Sequence, residues 1–341
     1  MRDHTLPLLP LTNKSTMKKI YFHAGPWKTG TTSLQYFLFS NRQVFENNGY
    51  GLFYPRNPIN FDEGIDDVAD LMKKIGWEQY STVDFNEYIN NTNFDHYIFS
   101  EETMYLDAIH KRINSGVIKA FNENDLTIIL TARRIDNVSL SLWKHRSSFL
   151  QGHRNYKATI NPSTYNYYTI AQGYLQSYPH AKIKIRSYEY PYGGDNRKDF
   201  LYAIDYNGSQ DFVYDDIRHN PSVTLDVVYA VWYLKDKYKL EPYRTTKQNP
   251  LRQAIFDYSA RNPEEPNTHI LDRVERQNLI NSLKYSTEQC EKLYYNGKRL
   301  HPPLGNSVLY RPTNTKIVRV AEEIMEIAKL KGADDEIFDL W

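Results

Sequence analysis

A chain of 341 residues is long enough to bury a large core, and its 42 lysines and arginines nearly cancel its 41 aspartates and glutamates. That balance argues against nucleic acid or an anionic membrane as partner, and no run approaches the ~20 apolar residues that span a bilayer. The single cysteine, Cys290, can form no intramolecular disulfide; a structural thiol in a reducing, cytoplasmic compartment is the expectation.

Residues 1–17, MRDHTLPLLPLTNKSTM, hold a short Leu/Pro run broken by Pro7 and Pro10, a poor signal-peptide core that reads as a disordered lead with Met17 as a candidate start. The remainder, 18–341, reads as one α/β domain. Its opening stretch, KKIYFHAGPWKTGTTSLQYFLFSN (Lys18 to Asn41), organises the rest. Ile20, Tyr21, Phe22, His23 and Ala24 suit a central parallel strand buried on both faces. From Ser33 the period changes to that of a helix, with Leu34, Phe37 and Leu38 on one face and Thr31, Thr32 or Ser33 as cap. Such a turn aims unpaired N–H groups and the positive end of a helix dipole at one point, with Lys28 beside them. It is an anion site, most naturally for a phosphate.

Asn47 to Pro58 is turn-rich and reads as a loop, and Ile59 to Asn93 as an acidic, weakly helical insertion holding Asp62, Glu63, Asp66 and Asp67. His96–Ser100 is the next predicted strand. It ends in Glu101 and Glu102, which either face a ligand at the carboxyl edge of the sheet or cap the following helix. Asp125–Ala132 is a third strand, followed by Arg133 and Arg134, two cations aimed at another helix start, with Asp136 or Asn137 as cap and a helix to Leu150 stopped by Gly152. The basic cluster His145, Arg146, His153, Arg154 is either a solvated face or a contact for an acidic glycan. Lys182–Arg186 is a fourth strand, a turn follows at Pro191–Gly194, and a helix starts near Asp199.

Ile217 to Leu234 carries a helical stripe (Val223, Val227, Val228, Val231) with Ser222 or Asn220 as cap. From about Lys235 the chain is helical and charged, ending in an amphipathic helix with Val320, Ile324, Ile327 and Ala328. The 29 tyrosines serve as packing residues or, in part, as flat faces in a sugar cleft. Metal-ligand spacings such as HExxH or paired CxxC, and the GxSxG elbow, are absent from the sequence. The fold expected is thus α/β, a P-loop-like central parallel β-sheet flanked by helices, with a helical C-terminal portion.

The loop spacing decides among phosphate ligands. Gly25 and Gly30 have the separation of GxxxxGK[ST], but Thr31 stands where that motif has its lysine, and Lys28 precedes Gly30 by two residues. PWKTGTT, within HAGPWKTGTTSLQ, resembles the 5′-phosphosulfate loop of sulfotransferases that use 3′-phosphoadenosine 5′-phosphosulfate (PAPS), most of all the bacterial carbohydrate-type branch. RRIDNVSLSLW is similar to the family's 3′-phosphate motif, which by its spacing picks out Arg133 and Ser141; Ile135 and Trp143 depart from the usual residues there.

The resemblance spans roughly Lys19 to Leu234 and implies the site. Lys28, Thr29, Gly30, Thr31, Thr32 and Ser33 would hold the 5′-phosphosulfate, with Lys28 also stabilising the leaving phosphate, and Arg133 and Ser141 the 3′-phosphate. IFSEE resembles the SSE segment and makes Glu101 the general base, with Glu102 and Glu63 as substitutes. Tyr188, in a strand ending Tyr-Glu, would contact the adenine or else be a structural tyrosine. Arg218, in an RxNxS-like segment, would add a cation or anchor a loop, and Arg299 is the candidate for the far side of the 3′-phosphate. The implied reaction moves a sulfuryl group from PAPS to an acceptor hydroxyl or amine, leaving 3′-phosphoadenosine 5′-phosphate (PAP), with a cation and amides in place of a metal. The acceptor expected is a glycan or glycolipid. The alternatives are an ATP-dependent P-loop kinase-like enzyme and a nucleotide- or glycan-binding protein without turnover.

Overall fold

A computed structural model of the chain describes residues 17–53, 85–101, 115–208, 210–214, 223–240, 249–265 and 268–332. The N-terminal lead over 1–16, most of the acidic insertion with Glu63, and also Glu102 and Arg218, lie outside the described residues.

The central sheet is five-stranded and parallel throughout, in the order β2-β3-β1-β4-β5. Its strands are β1 (Lys19–Ala24), β2 (Tyr50–Phe53), β3 (His96–Glu101), β4 (Asp125–Ala132) and β5 (Lys182–Ser187). β1 lies in the middle, where the continuous apolar run places it: every residue from Ile20 to Ala24 is buried. One expectation fails at the sheet edge. YGLF within the turn-rich stretch is a strand, in register with β3 from Tyr50 against His96 to Phe53 against Phe99. Gly51 is needed there because a Cβ would stand 2.7 Å from the Phe94 ring and 3.0 Å from that of Tyr97. Read locally, that glycine signals a turn; its partner strand makes it a close approach.

Helices α1 (Thr31–Ser40), α2 (Arg42–Asn47), α3 (Phe85–Asn91), α4 (Ser115–Glu123), α5 (Ile135–Ser147), α6 (Tyr167–Ser177) and α7 (Asn196–Ala203) flank the sheet. Tyr21, Leu34, Phe37, Phe45 and Phe200 pack on one face, and Ile20, Phe22, Phe99, Phe121 and Tyr174 on the other. The C-terminal portion is helical as expected, with α8 (Leu225–Tyr238), α9 (Pro250–Arg261), α10 (Arg273–Asn281), α11 (Lys284–Tyr294) and α12 (Asn314–Leu330). A two-residue parallel pair, β6 (Thr268–His269) and β7 (Val308–Leu309), accompanies them. Val228, Val231, Ile255, Val320 and Ile324 join Trp143 of α5 in a separate helical core. Cys290 is fully buried and burial pushes its thiol up to about 12, as befits a packing residue. Among the described residues no helix is long and apolar enough to cross a membrane.

Two buried histidines, His23 and His269, and the half-buried His145 make the fold acid-sensitive. Burial holds His23 at about 4 and His269 at about 4, and burial together with nearby cations holds His145 at about 3. The unfolded chain takes up these protons near pH 6.5 and the folded chain does not until pH 4 or lower, so stability is lost as pH falls through that window. His23 alone contributes on the order of 2 kcal/mol of this loss by pH 5. The urea midpoint should fall between pH 7 and pH 5, less steeply in His23→Gln; a flat midpoint would contradict the burial of these rings.

Candidate functional site

In this strand order β1 has β3 on one side and β4 on the other, so chain segments leave the carboxyl ends of β1 and β4 side by side. Ligands of open parallel sheets gather at such a point. The segment after β1 is the Gly25–Gly30 loop; the one after β4 is Arg133.

The loop is held in an uncommon backbone conformation. Lys28 has φ 68° and Gly30 φ 81°, both in the left-handed region, and a non-glycine residue there is a feature associated with functional sites. Thr29 Oγ1 donates to the Pro26 carbonyl at 2.6 Å and pins the turn. Gly30, rather than Thr31, Thr32 or Ser33, is the N-cap of α1, and among the described residues no side chain caps its first turn. The expected side-chain cap is therefore corrected: a glycine supplies the conformation, and the donors of the first turn are left for another acceptor. A Cβ on Gly30 would meet Asn196 Nδ2 at 3.3 Å and Tyr188 Cε2 at 3.4 Å, so the loop also sits tightly against β5 and α7.

Thr31 is buried, and its Oγ1 has no hydrogen-bond partner among the described residues. A Cβ on Gly25 would lie 2.4 Å from that oxygen and 2.9 Å from His23 Cε1, which explains the glycine. Beneath the loop, His23 shares hydrogen bonds with Ser100 Oγ at 3.0 Å and Thr131 Oγ1 at 3.1 Å. It ties the ends of β3 and β4 to β1 just below the site. Glu101 closes β3 opposite Ala24, so the expected base stands at the strand end beside the loop.

Arg133 reaches back to the loop and its Nη1 donates to the Lys28 carbonyl at 2.5 Å. Its guanidinium lies 4.5 Å from the Tyr188 ring centroid. Its Nε is buried and has no hydrogen-bond partner among the described residues. The Tyr167 hydroxyl accepts from the Arg133 N–H at 3.0 Å and donates to its carbonyl at 3.2 Å, fixing the backbone from which the side chain projects. The structure thus brings Lys28, Gly30, Arg133 and Tyr188 together. Ser141 is half-buried on α5, one turn from Asn137 and another from His145.

Arg134 lines the wall of the cleft beside Arg133, but its charge is already neutralised. Its Nε donates to Asp136 Oδ1 at 2.7 Å, and Asp136 is also held by Arg276 from α10, Nε to Oδ2 at 2.9 Å. All three side chains are buried. Asp136 and Asn137 do not cap α5 through their own side chains either. Arg134 is the N-cap residue and the carboxylate comes from Glu189, which accepts from the Arg134 N–H at 2.9 Å and from Asn137 Nδ2 at 3.2 Å. Burial alone would raise the Glu189 carboxyl, but His301 at 3.2 Å and these donors hold it below the usual range. The helix ends at Ser147 instead of Leu150.

Sequence reasoning missed His23, Tyr167 and Glu189. Only Glu189 left a signal, its place beside Tyr188; the other two owe their roles to neighbours more than thirty residues away. On the far side of Arg133 a cleft of about 360 Å³ opens between Tyr165, Tyr167, Lys284, Arg299 and His301. That volume falls within the range of small-molecule sites. It places Arg299 on the same cleft as Arg133. Among the described residues no group of three or more His, Cys, Asp or Glu side chains could hold a metal ion.

No family model, no curated protein and no solved structure matches the chain.

Proposed function

We propose that the chain is a sulfotransferase that moves the sulfuryl group of PAPS to a hydroxyl or amine of an acceptor, a carbohydrate or glycoconjugate. One observation carries this reading. Arg133 Nη1 donates to the Lys28 carbonyl, so the cation that follows β4 meets the loop that follows β1 at the carboxyl edge of the sheet, where open parallel sheets bind ligands and where the first-turn N–H groups of α1 favour an anion. The loop order, with Lys28 ahead of Gly30 and Thr31 where an ATP-binding P-loop has lysine, favours the phosphosulfate over the triphosphate.

PAPS supplies an activated sulfuryl group: its bond to the 5′-phosphate oxygen breaks as the bond to the acceptor oxygen or nitrogen forms. The first-turn N–H groups of Thr31, Thr32 and Ser33 bind the 5′-phosphate, and Lys28 balances the charge that grows on its departing oxygen. Arg133 and Ser141 take the 3′-phosphate, with Arg299 across the cleft. Tyr188 offers its ring to the adenine, and Glu101 takes the acceptor's proton. Arg218 adds a cation from its own segment. A cytoplasmic setting suits the lone, buried Cys290.

Thermal unfolding tests the reading, because a ligand selective for the native state stabilises it by about 2.7 kcal/mol at a hundred times its Kd. PAP should raise the melting temperature and ATP with magnesium should not. The reverse pattern would make the protein a kinase-like enzyme. Stabilisation by PAP with no transfer from labelled PAPS to any member of a broad acceptor panel would leave a nucleotide-binding protein without turnover.

A further inference from the structure

The last turn of α5 and the first turn of α9 supply basic residues to the outer side of the β1 loop. Arg146 lies with its guanidinium carbon 5.5 Å from the centroid of the Trp27 ring, which is 41 % exposed although it belongs to the loop. His145 meets Phe149 edge-on at 5.0 Å, and the guanidinium of Arg252 from α9 sits 4.7 Å from the same ring centroid. Besides burial, the charges that weigh most on His145 are those of Lys28, Arg252 and Arg146, all cations. They converge on one corner, and the imidazole within it stays neutral.

The neighbouring basic residues are already matched. Lys144 pairs with Glu264, Arg154 with Asp236 and Lys157 with Glu275. Arg146 has no carboxylate partner among the described residues. Nor is it needed to cap α5. The carbonyls of Lys144, His145, Arg146 and Ser147 already accept from Ser148 N, Ser148 Oγ, Phe149 N and Leu150 N respectively. A cation at a helix end with its carbonyls satisfied and no acid beside it is available to an external anion.

The nucleotide does not explain this corner. Arg133 stands just before α5, and from Ile135, its first residue, to Arg146 in its last turn the helix axis runs about 17 Å at 1.5 Å per residue. Lys28 lies between them, with its carbonyl on Arg133 and its charge felt at His145. On the proposed chemistry the 3′-phosphate belongs at the Arg133 end, which leaves the Arg146 end to the acceptor.

We propose that Trp27, His145, Arg146 and Arg252 form an acceptor subsite for an acidic sugar, the arginines pairing with its carboxylate and the exposed Trp27 ring offering a flat apolar surface to the pyranose. The inference deepens the sulfotransferase reading and rests on it for the word acceptor, but the binding it asserts is measurable without PAPS.

The test is calorimetric titration of the full chain with a glucuronate-terminated disaccharide and with its glucose-terminated counterpart, each with and without PAP. The acidic disaccharide should bind at least tenfold tighter, and raising salt from 50 to 200 mM should narrow the gap. Arg146→Gln with Arg252→Gln should erase the preference while the Kd for PAP stays unchanged; Arg146→Gln alone should remove part of it if the double variant fails to fold. Equal affinities in the wild type, or a preference surviving in both variants, would overturn the subsite. So would tighter binding of an oligoglutamate peptide than of the acidic disaccharide, which would assign the corner to an acidic polypeptide. Failure of PAP to bind, with the sugar preference intact, would count against the sulfotransferase reading and leave the subsite standing.

Discussion

On the proposed chemistry, Lys28→Met should lower sulfuryl transfer about 10²–10³-fold, the range seen when one preorganised donor to a developing oxyanion is removed, while PAP still raises the melting temperature. The backbone explains the split. Lys28 occupies the left-handed region and gives its carbonyl to Arg133, features that a methionine backbone reproduces, so the backbone of the loop is kept and the ammonium group is lost. Arg133→Met should behave differently. It removes a cation expected at the 3′-phosphate and also the 2.5 Å tie to the loop, so PAP should lose its advantage over adenosine 5′-phosphate as a stabilising ligand. The pair of melting curves distinguishes the two ends of the proposed nucleotide site. If Arg133→Met preserved the preference for PAP, the 3′-phosphate assignment would fail even with activity lost.

Asp136→Ala is expected to destabilise the protein by about 3–5 kcal/mol, measured by urea unfolding at pH 7, because it strands two buried arginines without their shared anion. Asp136 is fully buried, and its carboxylate receives Arg134 and Arg276 from opposite sides. Burial by itself would raise its pKa, and the two guanidinium groups outweigh that and hold it below the usual carboxylate value. The sign follows from linkage. The stabilisation is complete above about pH 4, where the unfolded carboxyl is ionised, and disappears as acid approaches the lower folded value. The variant should therefore lose part of the wild type's pH dependence in this acid range. A loss below ~1 kcal/mol would show that the arginines find other acceptors. The consequence extends to the site, since Arg134 Nη1 also donates to the Pro302 carbonyl at 3.0 Å and so holds the wall of the Arg133 cleft.

The adjacent pair Arg133 and Arg134 marks the boundary between what is local and what is not. In sequence they are two equal cations at a strand end. In the fold one turns back to Lys28 and keeps a buried nitrogen without a partner among the described residues, while the other is neutralised by a carboxylate two residues away and joined there by Arg276. Their fates diverge because pairing depends on which distant acid arrives, and spacing carries no record of that. The cap of α5 repeats the lesson: Asp136 and Asn137 have the right chemistry at the right place, yet the N-cap residue is Arg134, with no side-chain cap, and Glu189, from just after β5, accepts from the Arg134 N–H and the Asn137 amide instead. The basic cluster after it divides in the same way, with Arg154 claimed by Asp236 and Arg146 left beside Trp27.

What the amino-acid sequence determined by itself was the set of features fixed within a few residues. The apolar run of β1, the bounds of β4 at Asp125–Ala132, the buried face of α1 and the amphipathic α12 all follow from side-chain periodicity, which burial obeys directly. The loop was legible for the same reason, since Gly25 answers to Thr31 and His23 close at hand and Gly30 to its own left-handed φ. Only the tertiary structure decided the edge strand at Tyr50–Phe53, the bridging role of His23, the grip of Tyr167 on Arg133 and the joining of Arg252 to the corner beside Lys28. Each depends on a partner far away in the chain, and electrostatics and hydrogen bonding act over distance in space irrespective of distance in sequence.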